Sequence, residues 1–149
     1  MSHGNKQQWI LAKRPQDVPD PSEVVFQEVA IPDTAAGMVL VKNHYISLDP
    51  AIRLWMSDIP NYLPPIPIGD PIRATVVGEV IESGSDELAA GDLVFGLGGW
   101  ETHSTAPAEF WTKIASDSEF PLHYYVNMLG AVGLTPYFAI VDVGQAKAG

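Results

Sequence analysis

Few residues in this chain could carry chemistry, and their spacing excludes more than it admits. There are 4 His and 0 Cys, which removes disulfides, thiol nucleophiles and cysteine-ligated metals. His3, His44, His103 and His123 never recur at the short spacing of a metal-binding pair, and no HExxH string occurs. They read as surface or hydrogen-bonded side chains, with His3 in a polar terminus read as disordered, and no metal site is expected. Ser47, Ser57 and Ser104 lack a GxSxG elbow, and Glu82-Ser83-Gly84-Ser85 reads as a turn. Gly96-Leu97-Gly98-Gly99 is not GxGxxG and precedes a β stretch, so it reads as a strand-to-strand turn and not a phosphate cradle. What remains is Tyr45, Trp55, Tyr62 and Trp100 beside the proline-rich stretch 60–67. Such a set either lines an apolar pocket for a small hydrophobic molecule or simply fills the core.

The elements that must position these residues are mostly strands. Gln7 to Lys13, Val24 to Ala30 and Met38 to Leu48 read as strands, the last by its period of two. Asp49-Pro50 carries the N-cap and first-turn proline of a helix, predicted through Ala51 to Met56. Residues 57–71 hold Pro60, Pro64, Pro65, Pro67 and Pro71 and form an extended, ordered loop. Ile72 to Glu82 is the clearest strand, with Gly78 marking a bulge or a close backbone approach. Leu93 to Leu97, Trp100 to Ala106 and Trp111 to Ala115 follow as strands. The pattern then changes: Leu122 to Leu129 and Leu134 to Val143 are predicted helices, the second started at Thr135-Pro136 and ended by Gly144. A polar turn to Gly149 after a helix suggests a continuing βα unit, so the chain is expected to be part of a longer one.

Bulk properties agree with a single β-rich domain. The chain has 149 residues, 46% hydrophobic and 17% charged, and its 13 Gly and 13 Pro imply many turns. A net charge of −10 without a basic cluster argues against nucleic acid and anionic membranes as partners. No stretch has the form of a signal peptide or a membrane span, so a cytoplasmic location is expected.

One string is distinctive. Ile46-Ser47-Leu48-Asp49-Pro50-Ala51-Ile52-Arg53 resembles the LDPxxR segment of the zinc-free medium-chain reductases that include prostaglandin, curcumin and alkenal double-bond reductases. Tyr62 to Gly69 resembles that branch's following loop, closest to the bacterial curcumin-reductase type. Val76 to Ser83 and Gly91 to Gly96 resemble its barrel strands, and Gly98-Gly99-Trp100-Glu101 its Gly-Trp turn. Leu129-Gly130, Gly133-Leu134-Thr135, Tyr137-Phe138 and Asp142 to Gln145 resemble its interdomain helices. The pieces stand in the family's order and cover the chain from about Gln7.

The resemblance implies a mainly β fold, a GroES-like partly open β-barrel with short C-terminal helices leading into a Rossmann domain absent from this sequence. It divides the chain into a GroES-like catalytic domain, 1–121, and interdomain helices, 122–149. It implies NADP as cofactor and reduction of the C=C bond of α,β-unsaturated ketones or aldehydes, with hydride added to the β carbon of a small hydrophobic substrate. Asp49, Pro50 and Thr135 are implied cofactor-binding residues near the nicotinamide, and Tyr62 and Trp55 the substrate-binding ones; no catalytic residue is assigned. At full length a homodimer is expected. The chain departs from the pattern at Ala51-Ile52, where Tyr-Met is usual, and at Ala131-Val132 and Pro136. Two alternatives stand beside the enone reductase: a quinone oxidoreductase of the same superfamily, and a free-standing GroES-like binding module.

Overall fold

A computed structural model describes residues 4–147; His3 and the chain end at Gly149 lie outside the described residues. Seven strands, a short helix α1 and a C-terminal helix α2 follow in the order β1 (Asn5–Leu11), β2 (Val24–Ala30), β3 (Met38–Ile46), α1 (Pro50–Trp55), β4 (Arg73–Ser83), β5 (Leu93–Gly99), β6 (His103–Pro107), β7 (Trp111–Lys113) and α2 (Ala131–Phe138). The expected fold class is the observed one: mainly β, a curled and partly open barrel with few short helices.

Five strands form an antiparallel sheet in the order β6-β3-β4-β5-β7. The sheet curls until β6 reaches β5, where the Gly99 N–H donates to Ser104 Oγ at 3.2 Å. The β1–β2 hairpin lies across this curl. The Trp9 N–H donates to the Trp100 carbonyl (2.8 Å), and the Trp9 carbonyl accepts from the Ile72 N–H (2.9 Å). β1 thereby ties the start of β4 to the turn after β5.

Valines carry the sheet because branched side chains suit a pleated, half-buried surface. Val39, Val41, Val76, Val80 and Val94 form one core cluster with Leu88, Ala108 and Trp111. A second cluster, Leu11, Ile52, Trp55, Met56, Ile66, Ile72 and Ala74, sits beneath α1. Six residues cannot hold a helix by propensity alone; α1 persists because Ile52 and Trp55, three apart and so on one face, are both buried there. Each such side chain contributes roughly 1.5–3 kcal/mol.

Gly78 does mark a close approach. A Cβ there would lie 2.2 Å from the Lys42 carbonyl oxygen, beside a register shift between Asn43 and Tyr45. Four other expectations are corrected. Gly96 to Gly99 is the second half of β5 and not a turn, because neighbours crowd it: a Cβ on Gly96 would meet the Phe110 carbonyl oxygen at 2.0 Å. β3 ends at Ile46, two residues early, as Ser47 turns to bond β4. Leu122 to Val126 is a 3₁₀ helix and not an α-helix to Leu129. α2 starts at Ala131 with Pro136 inside it, because Gly130 and Gly133 pack on the preceding turn: Gly133 N donates to Asn127 O at 3.0 Å. The helix runs on as a π-helical turn, Ala139–Val143; Gly144 there is right-handed, and Gln145 takes the positive φ of 45°.

Candidate functional site

The strand-to-helix turn 47–50 is built from its anchors outward. Ser47 is buried and doubly bonded to β4: its N–H donates to the Thr75 carbonyl (2.8 Å) and its Oγ accepts from Thr75 N (3.0 Å). Its carbonyl accepts from the Trp100 indole N–H at 3.2 Å. Leu48 is then 78% exposed. Asp49 occupies the N-cap position with extended backbone, and its carbonyl accepts from Ile52 N (3.0 Å), but its carboxylate caps no backbone N–H. Pro50, at the first helical position, is exposed.

The far end of α1 is held by arginines. Arg53 donates from Nε to the Asp17 carbonyl (2.9 Å), from Nη1 to Ser57 Oγ (2.7 Å) and from Nη2 to the Pro15 carbonyl (3.0 Å). Its role is to fasten the 15–17 loop to α1, a planar fork spent on oxygens in fixed places. Arg14 adds a bond from Nη1 to the Met56 carbonyl (3.0 Å).

Trp55 and Tyr62 meet edge to face, ring centroids 6.1 Å apart at 80°. They differ in access: Trp55 is 6% exposed and belongs to the core, whereas Tyr62 is 72% exposed. Thr135 is exposed on α2, and its hydroxyl donates back to the Ala131 carbonyl (3.2 Å). The four aromatics singled out in the sequence do not line one pocket. Tyr45 packs on His123 at 5.9 Å, while Trp100 lines a cleft of about 830 Å³ that also takes in Trp9, Phe26, Leu48, Met56 and Glu101.

A buried polar network behind the Gly-Trp turn escaped the sequence reading. Glu101 and Lys6 form a buried ion pair. Glu101 Oε1 accepts from Ser104 Oγ (2.8 Å), and Asn43 Nδ2 donates to Ser104 Oγ (2.9 Å) and the Glu101 carbonyl (2.7 Å). The available signal was a strand whose inward positions, Lys6 and Gln8, are polar.

Two carboxyls are held below the ordinary aspartate range. Asp20, on the cleft rim, is lowered first by the Ser22 side chain and backbone hydrogen bonds, and Asp92 by the Lys113 ammonium 2.6 Å away and the Ala89 N–H. Desolvation lowers the Arg73 guanidinium. Among the described residues no three His, Asp or Glu side chains gather as a metal site, and no helix is long and apolar enough to cross a membrane.

This curled sheet, with a strand-to-helix turn at its rim, belongs to a known class of domain. Residues 7–114 match the family model described as the N-terminal domain of oxidoreductase, and the chain belongs to that family. It is 34% identical over 95% of its length to the NADPH-dependent curcumin reductase of Escherichia coli, and 35% identical over 97% to the NADP(+)-dependent 2-alkenal reductase of Nicotiana tabacum. Those matches take in 41% and 43% of the two relatives, so the chain spans about two fifths of their length. Its fold superposes on the crystal structure of CurA in complex with NADPH from Vibrio vulnificus with a TM-score of 0.83 and 29% identity, over 96% of this chain and 42% of that one.

Proposed function

We propose that this chain is the N-terminal catalytic-domain part of an NADP-dependent oxidoreductase that reduces the C=C bond of α,β-unsaturated ketones or aldehydes. The observation that carries the reading is its likeness, along nearly its whole length, to reductases named for curcumin and alkenals.

On this reading residues 1–121 form the barrel domain and 122–149 lead toward the cofactor domain. The second boundary is supported by α2 and its π-helical continuation, which bury none of their side chains and expose Val132, Leu134, Tyr137, Phe138, Ile140 and Val141. The whole protein would be a cytoplasmic homodimer without nucleic-acid or membrane partners, the net charge of −10 opposing both polyanions.

Bound NADPH supplies a hydride, and the reaction needs one wall against which nicotinamide and enone meet. The residues of the 47–50 turn fit such a wall. The Asp49 carboxylate is not consumed as a cap, and Pro50 and Leu48 stand exposed beside it. Thr135 is assigned to the same cofactor, and Tyr62, backed by the buried edge of Trp55, to the substrate. Ala51, half-buried against the second core cluster, offers no hydroxyl to the substrate. Hydride arriving at the β carbon leaves an enolate, and a proton taken up at the α carbon completes the saturated product. The protein's part is to orient the reactants and to stabilise the developing charge.

The test is a substrate panel on the full-length protein. Consumption of NADPH with an enone, giving the saturated ketone, is expected. Faster turnover of quinones would move the assignment to the quinone oxidoreductases, and turnover by residues 1–149 alone would contradict the two-domain reading. Tyr62→Ala is expected to raise KM for the enone several-fold and leave NADPH affinity unchanged.

A further inference from the structure

We propose that Trp100 is a positioning residue: by holding the Ser47 carbonyl, its indole N–H sets where β3 delivers Asp49 and Pro50. The proposal rests on the assignment of those two residues to the cofactor.

The indole projects from a turn with little freedom. The Trp100 N–H donates to the Ile72 carbonyl and its own carbonyl accepts from Trp9 N, both at 2.8 Å. On one side, Gly99 packs so tightly that a Cβ would lie 2.9 Å from Pro71 Cβ. On the other, Glu101 is held by Lys6, Ser104 and Asn43. Such a base makes the indole N–H a fixed point.

The receiving end needs one. Ser47 is buried, so its carbonyl must be paired, and Trp100 supplies the donor at 3.2 Å. Beyond Ser47 the support thins. Leu48 is exposed, and the Asp49 carboxylate makes no cap, so the direction of the turn is decided at Ser47. Its N–H and Oγ fix it to β4, and the carbonyl bond fixes the plane of the peptide leading into Leu48. A rotation there swings Asp49 and Pro50, and displacements of about 1 Å at a reacting centre cost on the order of a hundredfold in rate.

The experiment uses the full-length protein with Trp100→Phe, and with β-(3-benzothienyl)alanine at position 100, which keeps the indole shape and exchanges only the N–H for sulfur. Trp111→Phe is the control, since the Trp111 indole nitrogen is buried without a hydrogen-bond partner among the described residues. Within residues 48–52, amide hydrogen exchange at Ile52, whose N–H is bonded to the Asp49 carbonyl, is expected to quicken about tenfold in both position-100 variants, with exchange along β4 unchanged. With an enone, kcat/KM for NADPH should fall about tenfold and the primary isotope effect from 4-deuterated NADPH should rise, because hydride transfer becomes limiting. Trp111→Phe should lower the melting temperature and leave exchange at 48–52 and the isotope effect as they were. Unchanged exchange in the isosteric variant overturns the proposal, as does faster exchange with unaltered kcat/KM. If the unsubstituted protein reduces no enone, the functional reading fails separately, and the exchange result alone decides whether Trp100 holds the turn.

Discussion

At the scale of single residues the least expected finding is the buried pair of Lys6 and Glu101. A buried pair is costly to form and costlier to break, since removing one partner strands the other charge. Lys6→Met is therefore expected to lower unfolding free energy by about 3–5 kcal/mol in urea titration, and adding Glu101→Leu should recover part of it. A loss below about 1 kcal/mol would mean the pair is solvated like a surface one. Asp92 makes a different prediction. Lys113 and the Ala89 N–H favour its ionised form, so its folded value lies below the ordinary one of about 3.9. Its contribution is then present above that ordinary value and is lost as pH falls through the lowered one. The stability gap between the native protein and Asp92→Asn should accordingly narrow as the pH falls below the ordinary aspartate value; a gap that stays constant through acid titration contradicts the assignment. Neither feature could be read beforehand. Lys6 and Glu101 are 95 positions apart; the polar inward positions of β1 hint at a buried polar group, but its partner is set only by the crossing of β1 over the Gly-Trp turn.

At the scale of elements the legible parts were those whose local chemistry and tertiary demand agree. β4 announced itself through Thr75, Val76, Val77, Val80 and Ile81, and Asp49-Pro50 announced α1. Gly78 was legible too, because a glycine inside such a run has few explanations besides proximity. Gly78→Ala would put a methyl 2.2 Å from the Lys42 carbonyl oxygen, and the backbone there cannot step aside without breaking the β3–β4 ladder. A loss of about 3 kcal/mol or more in thermal unfolding is expected, and a near-neutral substitution would show the ladder to be looser than this. Gly96 to Gly99 misled for the opposite reason. Locally, four residues with three glycines look like a turn; only the close packing of Phe110, Ser104 and Pro71 against those glycines explains why a strand needs them. Thr135-Pro136 misled similarly: it has the form of a helix start, yet the turn packed on Gly133 begins the helix four residues sooner. Of the proposed site, the sequence could indicate the 49–50 turn and Tyr62 but not their support, since the Trp100 bond to Ser47 joins residues with no shared pattern.

At the scale of the whole molecule, the barrel supplies a rim with a strand-to-helix turn and an exposed tyrosine, followed by a helix, α2, with an uncovered apolar surface. These parts gain a purpose together if a cofactor-binding partner domain closes against them, and the account stands on that closure. The most direct measurement is the product formed by the full-length protein from NADPH and a simple enone, followed by the fate of each double bond. One saturated ketone per NADPH consumed, with the carbonyl intact, is the predicted result. An allylic alcohol, or no NADPH consumption with any enone, would contradict it.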